Sequence, residues 1–275
     1  MLYLFLAICS SACVSIFMRL SERKIQNNIA MLVLNYLMCT LLSAAYAGTG
    51  VSGVGLPTTV VMGTFNGALY LISFVLLQVN VQRNGVVLSS TFMKLGLLVT
   101  MAVSVCVYHE VPGKLQVLGF LIAVAAIILI NYRKEGTAAG FKSGLLLLLL
   151  CGGMADAMSK VFEESGVPGM ENHFLFVTFF AAMILCTSLM LYKKQRPGKW
   201  EILFGLLIGI PNFFSSKFLL RALEDVAAVI AYPVYSVAGI LLVTAAGVLF
   251  FREKLKMRQW IALGLILLAL VLLNV

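Results

Sequence analysis

Ten long apolar runs follow one another along the chain, separated by short polar or Gly/Pro-containing breaks. The runs lie at residues 2–19, 29–47, 57–79, 86–107, 115–132, 144–162, 173–192, 200–220, 226–250 and 259–275. A helix needs roughly 20 mostly apolar residues to cross the hydrocarbon core of a bilayer. Each run therefore predicts one transmembrane helix. The breaks predict surface loops, because irregular backbone in lipid would leave its polar groups without partners.

Composition supports an integral membrane protein. Of the 275 residues, 61% are hydrophobic and 11% are charged, which leaves too little polar surface to cover a soluble globule. Ten spans and their short loops use the whole length, so no soluble domain is expected. The predicted fold class is all-α integral membrane with ten transmembrane helices.

The distribution of basic residues predicts a topology. The odd-numbered loops hold fifteen Lys and Arg residues, whereas the even-numbered loops hold two, Lys114 and Arg221. Loops rich in Lys and Arg stay in the cytoplasm. We therefore expect a multi-pass protein of the inner (plasma) membrane with both termini extracytoplasmic. Because the basic residues are dispersed among short loops, no nucleic-acid partner is expected despite the net charge of +9.

The two halves of the chain match each other at polar positions. Sliding the sequence along itself by 143 or 146 residues superposes Glu110 on Glu253, Gln116 on Gln259, Asn131 on Asn274 and Asn66 on Asn212. Polar matches at corresponding span ends indicate an internal repeat. We predict repeats at 1–136 and 137–275. Five helices per half is an odd number, so the second copy is inverted, as in many transporters.

These features resemble the EamA-like proteins of the drug/metabolite transporter superfamily. Glu110 and Glu253 each end a helix, and each precedes by six residues a Gln that opens the final helix of its half. The ninth span opens with Ala231-Tyr232-Pro233-Val234-Tyr235, which is also typical. The resemblance implies a cavity lined by the first four helices of each half. It also implies cytoplasmic termini in many relatives, whereas the charges here predict the opposite. We interpret the two carboxylates as structural.

Two lysines inside the runs are candidates for substrate binding. A charge in hydrocarbon is costly and usually faces a watery cavity or a protein interior. Lys94 lies near the middle of the fourth run, roughly 13 Å from the nearer end at 1.5 Å rise per residue. Lys217 lies late in the eighth run. The alternative for both is a lysine that extends its ammonium to the interface.

The sixth run contains an acid and a base one helical turn apart, Asp156 and Lys160. Such a pair shares one helix face and forms either a structural ion pair or a functional one. Four-helix relatives in the superfamily couple protons through a carboxylate on their first helix. The sixth span is the first helix of the second half, so the resemblance implies proton coupling by Asp156 with Lys160.

Other polar side chains and small residues lie inside the runs. The candidates for substrate contact are Asn66, Asn212, Tyr70, Tyr232 and Tyr235. The alternatives are hydrogen bonds across helices for the amides and interfacial belts for the tyrosines. Two motifs with small residues four apart, Gly63-x-x-x-Gly67 and Gly205-x-x-x-Gly209, predict close helix approach.

Catalytic motifs are not found, so we expect neither an enzyme nor a cofactor. The chain has no metalloprotease, nucleophile-elbow or phosphate-loop motif, and its six cysteines and two histidines lack metal-ligand spacing. The predicted function is secondary-active transport of a small anionic or zwitterionic metabolite, such as an amino acid or organic acid. It would work by alternating access with proton coupling or exchange. The alternatives are a multidrug or cationic-compound exporter, and a channel or non-transporting scaffold. A homodimer is compatible with the sequence.

Overall fold

The structure, a computed structural model, describes most of the chain. The described residues are 1–21, 24–47, 55–84, 89, 92–93, 95–131, 142–251 and 257–273. Every regular element among them is an α-helix. This confirms the predicted all-α class.

Ten helices are found in the described residues. They are α1 Leu2–Ser21, α2 Asn28–Ala47, α3 Leu56–Asn84, α4 Leu97–Cys106, α5 Lys114–Asn131, α6 Lys142–Ser165, α7 Glu171–Tyr192, α8 Lys199–Leu223, α9 Ala228–Phe251 and α10 Met257–Leu273. Seven of these are long and apolar enough to cross a membrane (α1, α2, α3, α6, α7, α8 and α9), and α4, α5 and α10 are shorter apolar helices. Each predicted span thus overlaps a helix in the described residues.

Helix ends differ from the apolar runs where polar residues continue a helix. The third run ends at residue 79, but α3 continues to Asn84. Backbone hydrogen bonding does not require apolar side chains, so hydropathy locates the lipid-facing part of a helix better than its last turn. For the fourth run, the described helix is Leu97–Cys106, and much of its first half lies outside the described residues.

One compact unit, called unit 1, comprises residues 1–71 and 158–224. Within it α1 packs along α8, and α2 packs along both α7 and α8. Met31, Phe204 and Ile208 form a core where these helices meet. Unit 1 therefore combines helices from both predicted repeats, while the repeat boundaries themselves remain a prediction.

Glycines allow the helices of unit 1 to approach closely. A Cβ on Gly209 would lie 2.7 Å from the carbonyl oxygen of Asn35 on α2. On α3, a Cβ on Gly67 would lie 2.7 Å from the carbonyl oxygen of Thr178 on α7. Real Cβ atoms do not approach backbone so closely. Both Gly-x-x-x-Gly predictions are therefore confirmed as helix-packing motifs.

The second compact unit, unit 2, comprises residues 72–157 and 225–275. In this unit α5 packs along α10, and α9 packs on α4. The carboxylate of Glu110, after α4, accepts hydrogen bonds from the backbone N–H groups of Ala228 (3.1 Å) and Val229 (2.9 Å). The first N–H groups of a helix lack internal partners and favour negative charge. Glu110 therefore caps α9, which confirms its structural interpretation. Glu253 lies outside the described residues.

A Gly→Ala substitution should have opposite effects at packed and open positions. At Gly67, the new methyl group must displace the α7 backbone, and overpacking of this kind costs about 1–3 kcal/mol. Gly264 has open space around its Cβ position, so Gly264→Ala should gain up to about 1 kcal/mol of helix propensity. Thermal unfolding in detergent should show a lower midpoint for Gly67→Ala and an unchanged or higher one for Gly264→Ala. Equal shifts would contradict the packing account.

Candidate functional site

Lys217, a predicted substrate-binding residue, contacts aromatic rings in unit 1. Its Nζ lies 3.2 Å from the ring centroid of Tyr46 on α2 and 5.8 Å from that of Phe213 on α8. Within the described residues, no carboxylate pairs with this ammonium. A cation over a ring face gains about 0.5–2 kcal/mol, the larger value applying when water is excluded. The rings of Tyr46 and Phe213 therefore contact the Lys217 ammonium but supply no negative charge to it.

A cavity of about 290 Å³ lies beside Lys217, where α1 and α7 begin and α8 ends. Polar and aromatic side chains dominate its wall, which is formed by Tyr3, Glu171, Asn172, Leu175, Lys217, Phe218, Leu220, Arg221 and Glu224. This volume is at the lower end of the range for small-molecule sites.

Both signs of charge line this cavity. Lys217 and Arg221 supply cations, and Glu171 and Glu224 supply carboxylates. Arg221 Nη1 lies 2.9 Å from Glu224 Oε1, and both side chains remain partly exposed. Exposed ion pairs of this kind contribute about 0–1 kcal/mol. Because the pair is weak, a solute carboxylate or ammonium can replace either partner at low cost.

A second cavity, also about 290 Å³, shares part of this wall. The common residues are Glu171, Leu220, Arg221 and Glu224. The remaining wall is more apolar and comprises Phe162, Glu163, Gly166, Val167 and Pro168. The charged residues Glu171, Arg221 and Glu224 therefore line both cavities, of which the first is largely polar and the second partly apolar.

Lys160 pairs with acids further along α6. Its Nζ lies 2.8 Å from Glu163 Oε2 and 2.5 Å from Glu164 Oε1, and Lys160 is 4% exposed. These are the i,i+3 and i,i+4 spacings at which helical ion pairs form. The positive charge of Lys160 is therefore balanced by two carboxylates, one of which also lines the second cavity.

Tyr70, another predicted site residue, belongs to an aromatic cluster. Its ring centroid lies 6.2 Å from that of Tyr36 and 6.4 Å from that of Phe179. Phe179 in turn meets Phe213 edge-on at 6.4 Å. Aromatic pairs at such distances contribute about 0.5–1.5 kcal/mol each beyond burial. The cluster extends from Tyr70 to the ring that Lys217 approaches.

The two predicted asparagines of unit 1 have different environments. Asn212 Nδ2 donates to Asn35 Oδ1 at 3.3 Å, and it lies 3.6 Å from the Sγ of Cys39. Cys39 also donates to the carbonyl oxygen of Gly209 at 3.2 Å. These bonds join α8 to α2. Asn66 is 1% exposed, and its Oδ1 has no hydrogen-bond partner in the described part of the chain. Its acceptor is therefore available.

Three further predicted residues lie in unit 2. The hydroxyl of Tyr232, which is 3% exposed, donates to the backbone carbonyl of Asp156 at 2.8 Å and joins α9 to α6. The side chain of Asp156 is exposed, and Tyr235 is half-buried. A carboxylate exposed on an apolar helix usually faces water or a polar path.

Sequence reasoning missed several residues around Lys217. Tyr46, Tyr3, Glu171 and Glu224 were not among the candidates, because they lie near helix ends on separate helices. Arg221 follows Lys217 by one turn, and this spacing was the one available signal that both side chains share a helix face. Lys94, the central lysine of the fourth run, lies outside the described residues.

Comparisons with known proteins agree with this fold. The profile of the EamA-like transporter family matches residues 143–275. The chain is 40% identical over 81 residues to an uncharacterized membrane protein, YvaE, of Bacillus subtilis, covering 30% of this chain and 68% of that protein. It is 23% identical over 196 residues to an uncharacterized protein of Haemophilus influenzae, covering 69% of this chain and 67% of that one.

A solved crystal structure shares the fold over nearly the whole length. The TM-score is 0.79 at 16% identity, covering 98% of this chain and 94% of the other. Family members are multi-pass membrane transporters with ten helices. The chain belongs to the EamA-like transporter family of the drug/metabolite transporter superfamily, as its sequence predicts.

Proposed function

We propose that this protein is a secondary transporter of a small anionic or zwitterionic metabolite, such as an amino acid or an organic acid. The observation that carries the proposal is the position of Lys217. Its ammonium lies within a membrane-spanning helix, against two ring faces and beside a cavity. An ammonium has three hydrogen-bond donors, and ring faces do not satisfy them as an oxygen acceptor would. A carboxylate or phosphate group in the cavity would accept these hydrogen bonds from Lys217.

The mixed charge of the cavity favours a zwitterion among these solutes. A solute carboxylate would lie toward Lys217 and Arg221, and a solute ammonium toward Glu171 and Glu224. Each charge would then enter a partly desolvated site with a counter-charge, as a buried charge requires. An organic acid without an ammonium group would pair with Lys217 and Arg221 but would leave Glu171 and Glu224 without a partner from the solute.

Alternating access would expose such a site to either side of the inner membrane in turn. Family membership and the predicted inverted repeats support this mechanism. Exchange or a proton gradient would supply the energy. Asp156 is the proposed proton-coupling group, because it is an exposed carboxylate within the candidate membrane span of α6.

A second candidate function is export of a cationic compound. The aromatic faces of Tyr46 and Phe213 already hold one cation, the ammonium of Lys217. Carboxylates also outnumber bases in the wall of the second cavity. The binding experiment below separates the two functions by the charge of the solute that stabilises the protein.

Ligand binding should depend on Lys217. A ligand that binds only the folded state increases the free energy of unfolding, by about 2.7 kcal/mol at 100 times Kd. The melting temperature therefore rises. In a screen of amino acids, organic acids and quaternary ammonium compounds, a zwitterion or anion should stabilise the protein. Lys217→Gln should weaken that ligand about tenfold or more, since hydrogen bonds to charged groups contribute roughly 1.5–3 kcal/mol. The matched control is Lys114→Gln, which alters an exposed lysine in unit 2.

Stabilisation by cations alone, or equal affinity in both variants, would contradict the proposed substrate. Arg221→Gln serves as a second test, because this exposed side chain can be changed with little effect on folding. Melting of each variant without ligand identifies any loss of fold.

Asp156→Asn should uncouple transport from protons. The amide cannot take up a proton at neutral pH, so uptake driven by a pH gradient should be lost. Exchange of solute across vesicles without a gradient should persist, since the cavity in unit 1 is unchanged. Uptake that still follows the pH gradient in this variant would exclude Asp156 as the coupling group.

The proposed topology places both termini outside the cytoplasm and the segment 193–198 inside. The support is the excess of fifteen basic residues over two in the loops. In a variant without its native cysteines, a cysteine at Gln195 should resist an impermeant maleimide in intact cells and react after lysis. A cysteine at Ser165, which is exposed in the predicted outer loop, should react in intact cells. The reverse pattern would establish the opposite insertion.

A further inference from the structure

A group of exposed basic side chains lies at the end of unit 1 away from the cavity. This basic surface comprises five exposed residues, Lys24 and, in the seven residues before Trp200, Lys193, Lys194, Arg196 and Lys199. The residues come from the segment after α1 and the segment between α7 and α8. Among the described residues of these two segments and the first turn of α8, the one carboxylate is Glu201, which is 5% exposed.

The fold holds the two segments together. Lys24 Nζ lies 4.1 Å from the ring centroid of Trp200. Glu201 Oε1 accepts hydrogen bonds from the backbone N–H groups of Gln26 (2.8 Å) and Asn27 (3.2 Å), just before α2 begins. The buried carboxylate thus ties the first segment to α8. Lys24 is thereby held against the start of α8, which is about 170 residues away in sequence.

Lys194 adds an independent observation. It lies two residues after α7, in the left-handed conformation, with φ of 52°. Its N–H donates to the carbonyl of Leu191, and the N–H of Gln195 donates to that of Met190. Glycine is the usual residue at such a helix end, because a side chain is disfavoured there. Lys194 therefore places a charge at a position where glycine would be less strained, and the charge lies at a helix C-terminus, which favours a cation.

We propose that this basic surface binds the phosphate headgroup of an anionic phospholipid. The lipid is favoured over a free phosphate because large apolar side chains flank the basic groups. Leu191 is 65% exposed, Tyr192 is 86% exposed and Trp200 is 44% exposed, at helix ends where aromatic residues meet the membrane interface. A headgroup at the lysines would place its acyl chains along these side chains. This binding is independent of the transported solute.

Quenching of Trp200 tests the proposal directly. The chain has two tryptophans, so Trp260→Phe leaves Trp200 as the reporter in the full-length protein. Vesicles of phosphatidylcholine would contain equal fractions of brominated phosphatidylglycerol or brominated phosphatidylcholine. We expect stronger quenching by the anionic lipid, and a preference that falls about fivefold for each basic residue changed to Gln at 193, 194 and 199. Lys114→Gln is the matched control and should leave the preference unchanged.

Lys194→Gly separates binding from folding. Glycine relieves the left-handed strain, so this variant should melt at the same or a higher temperature while the lipid preference falls about fivefold. Equal quenching by the two lipids would overturn the proposal, as would a preference that survives the triple Gln substitution. Loss of the preference on adding inorganic phosphate at low concentration would assign the surface to a free anion instead.

Discussion

The bilayer's exclusion of water is the constraint on which the rest of the structure depends. Backbone polar groups in hydrocarbon must bond to each other, so the chain forms helices, and the helices must contact one another with little help from a hydrophobic driving force. Glycines such as Gly67 and Gly209 meet that demand by bringing backbones together. Helix starts are the remaining weak points. Side chains cap two of them: the Glu110 carboxylate caps α9, and Asn27 caps α2 by accepting from the N–H of Ala30.

The same constraint makes the few charges in unit 1 informative. Lys160 is buried and balanced by two glutamates, a complete arrangement that needs no ligand. The ammonium of Lys217 instead makes cation–π contacts with the rings of Tyr46 and Phe213, and it lies beside a cavity. At the other end of the unit, the exposed Lys24 lies over Trp200, and the buried carboxylate of Glu201 bonds the backbone two residues after Lys24. The site proposed for the solute and the surface proposed for a lipid thus both lie in unit 1.

The sequence predicted the helices well, because apolar runs report directly on contact with lipid. It also predicted the Gly-x-x-x-Gly packing, because small residues four apart in a span are typical of close helix contacts. It identified Lys217 but not Tyr46, because a cation–π contact between two helices leaves no local pattern. Lys160 pairs with Glu163 and Glu164, which lie beyond the end of the apolar run at residue 162 and were therefore interpreted as loop residues. The proximity of Lys24 to Trp200 follows from tertiary contacts alone.

Counterflow in proteoliposomes is the most direct measurement of the central claim that this protein is a carrier. Vesicles would be loaded with the unlabelled amino acid or organic acid that most stabilises the protein, and labelled solute would be added outside. A carrier predicts transient, saturable accumulation of label that depends on the internal solute. Label entry that does not saturate and ignores the internal solute would contradict the account and indicate a channel.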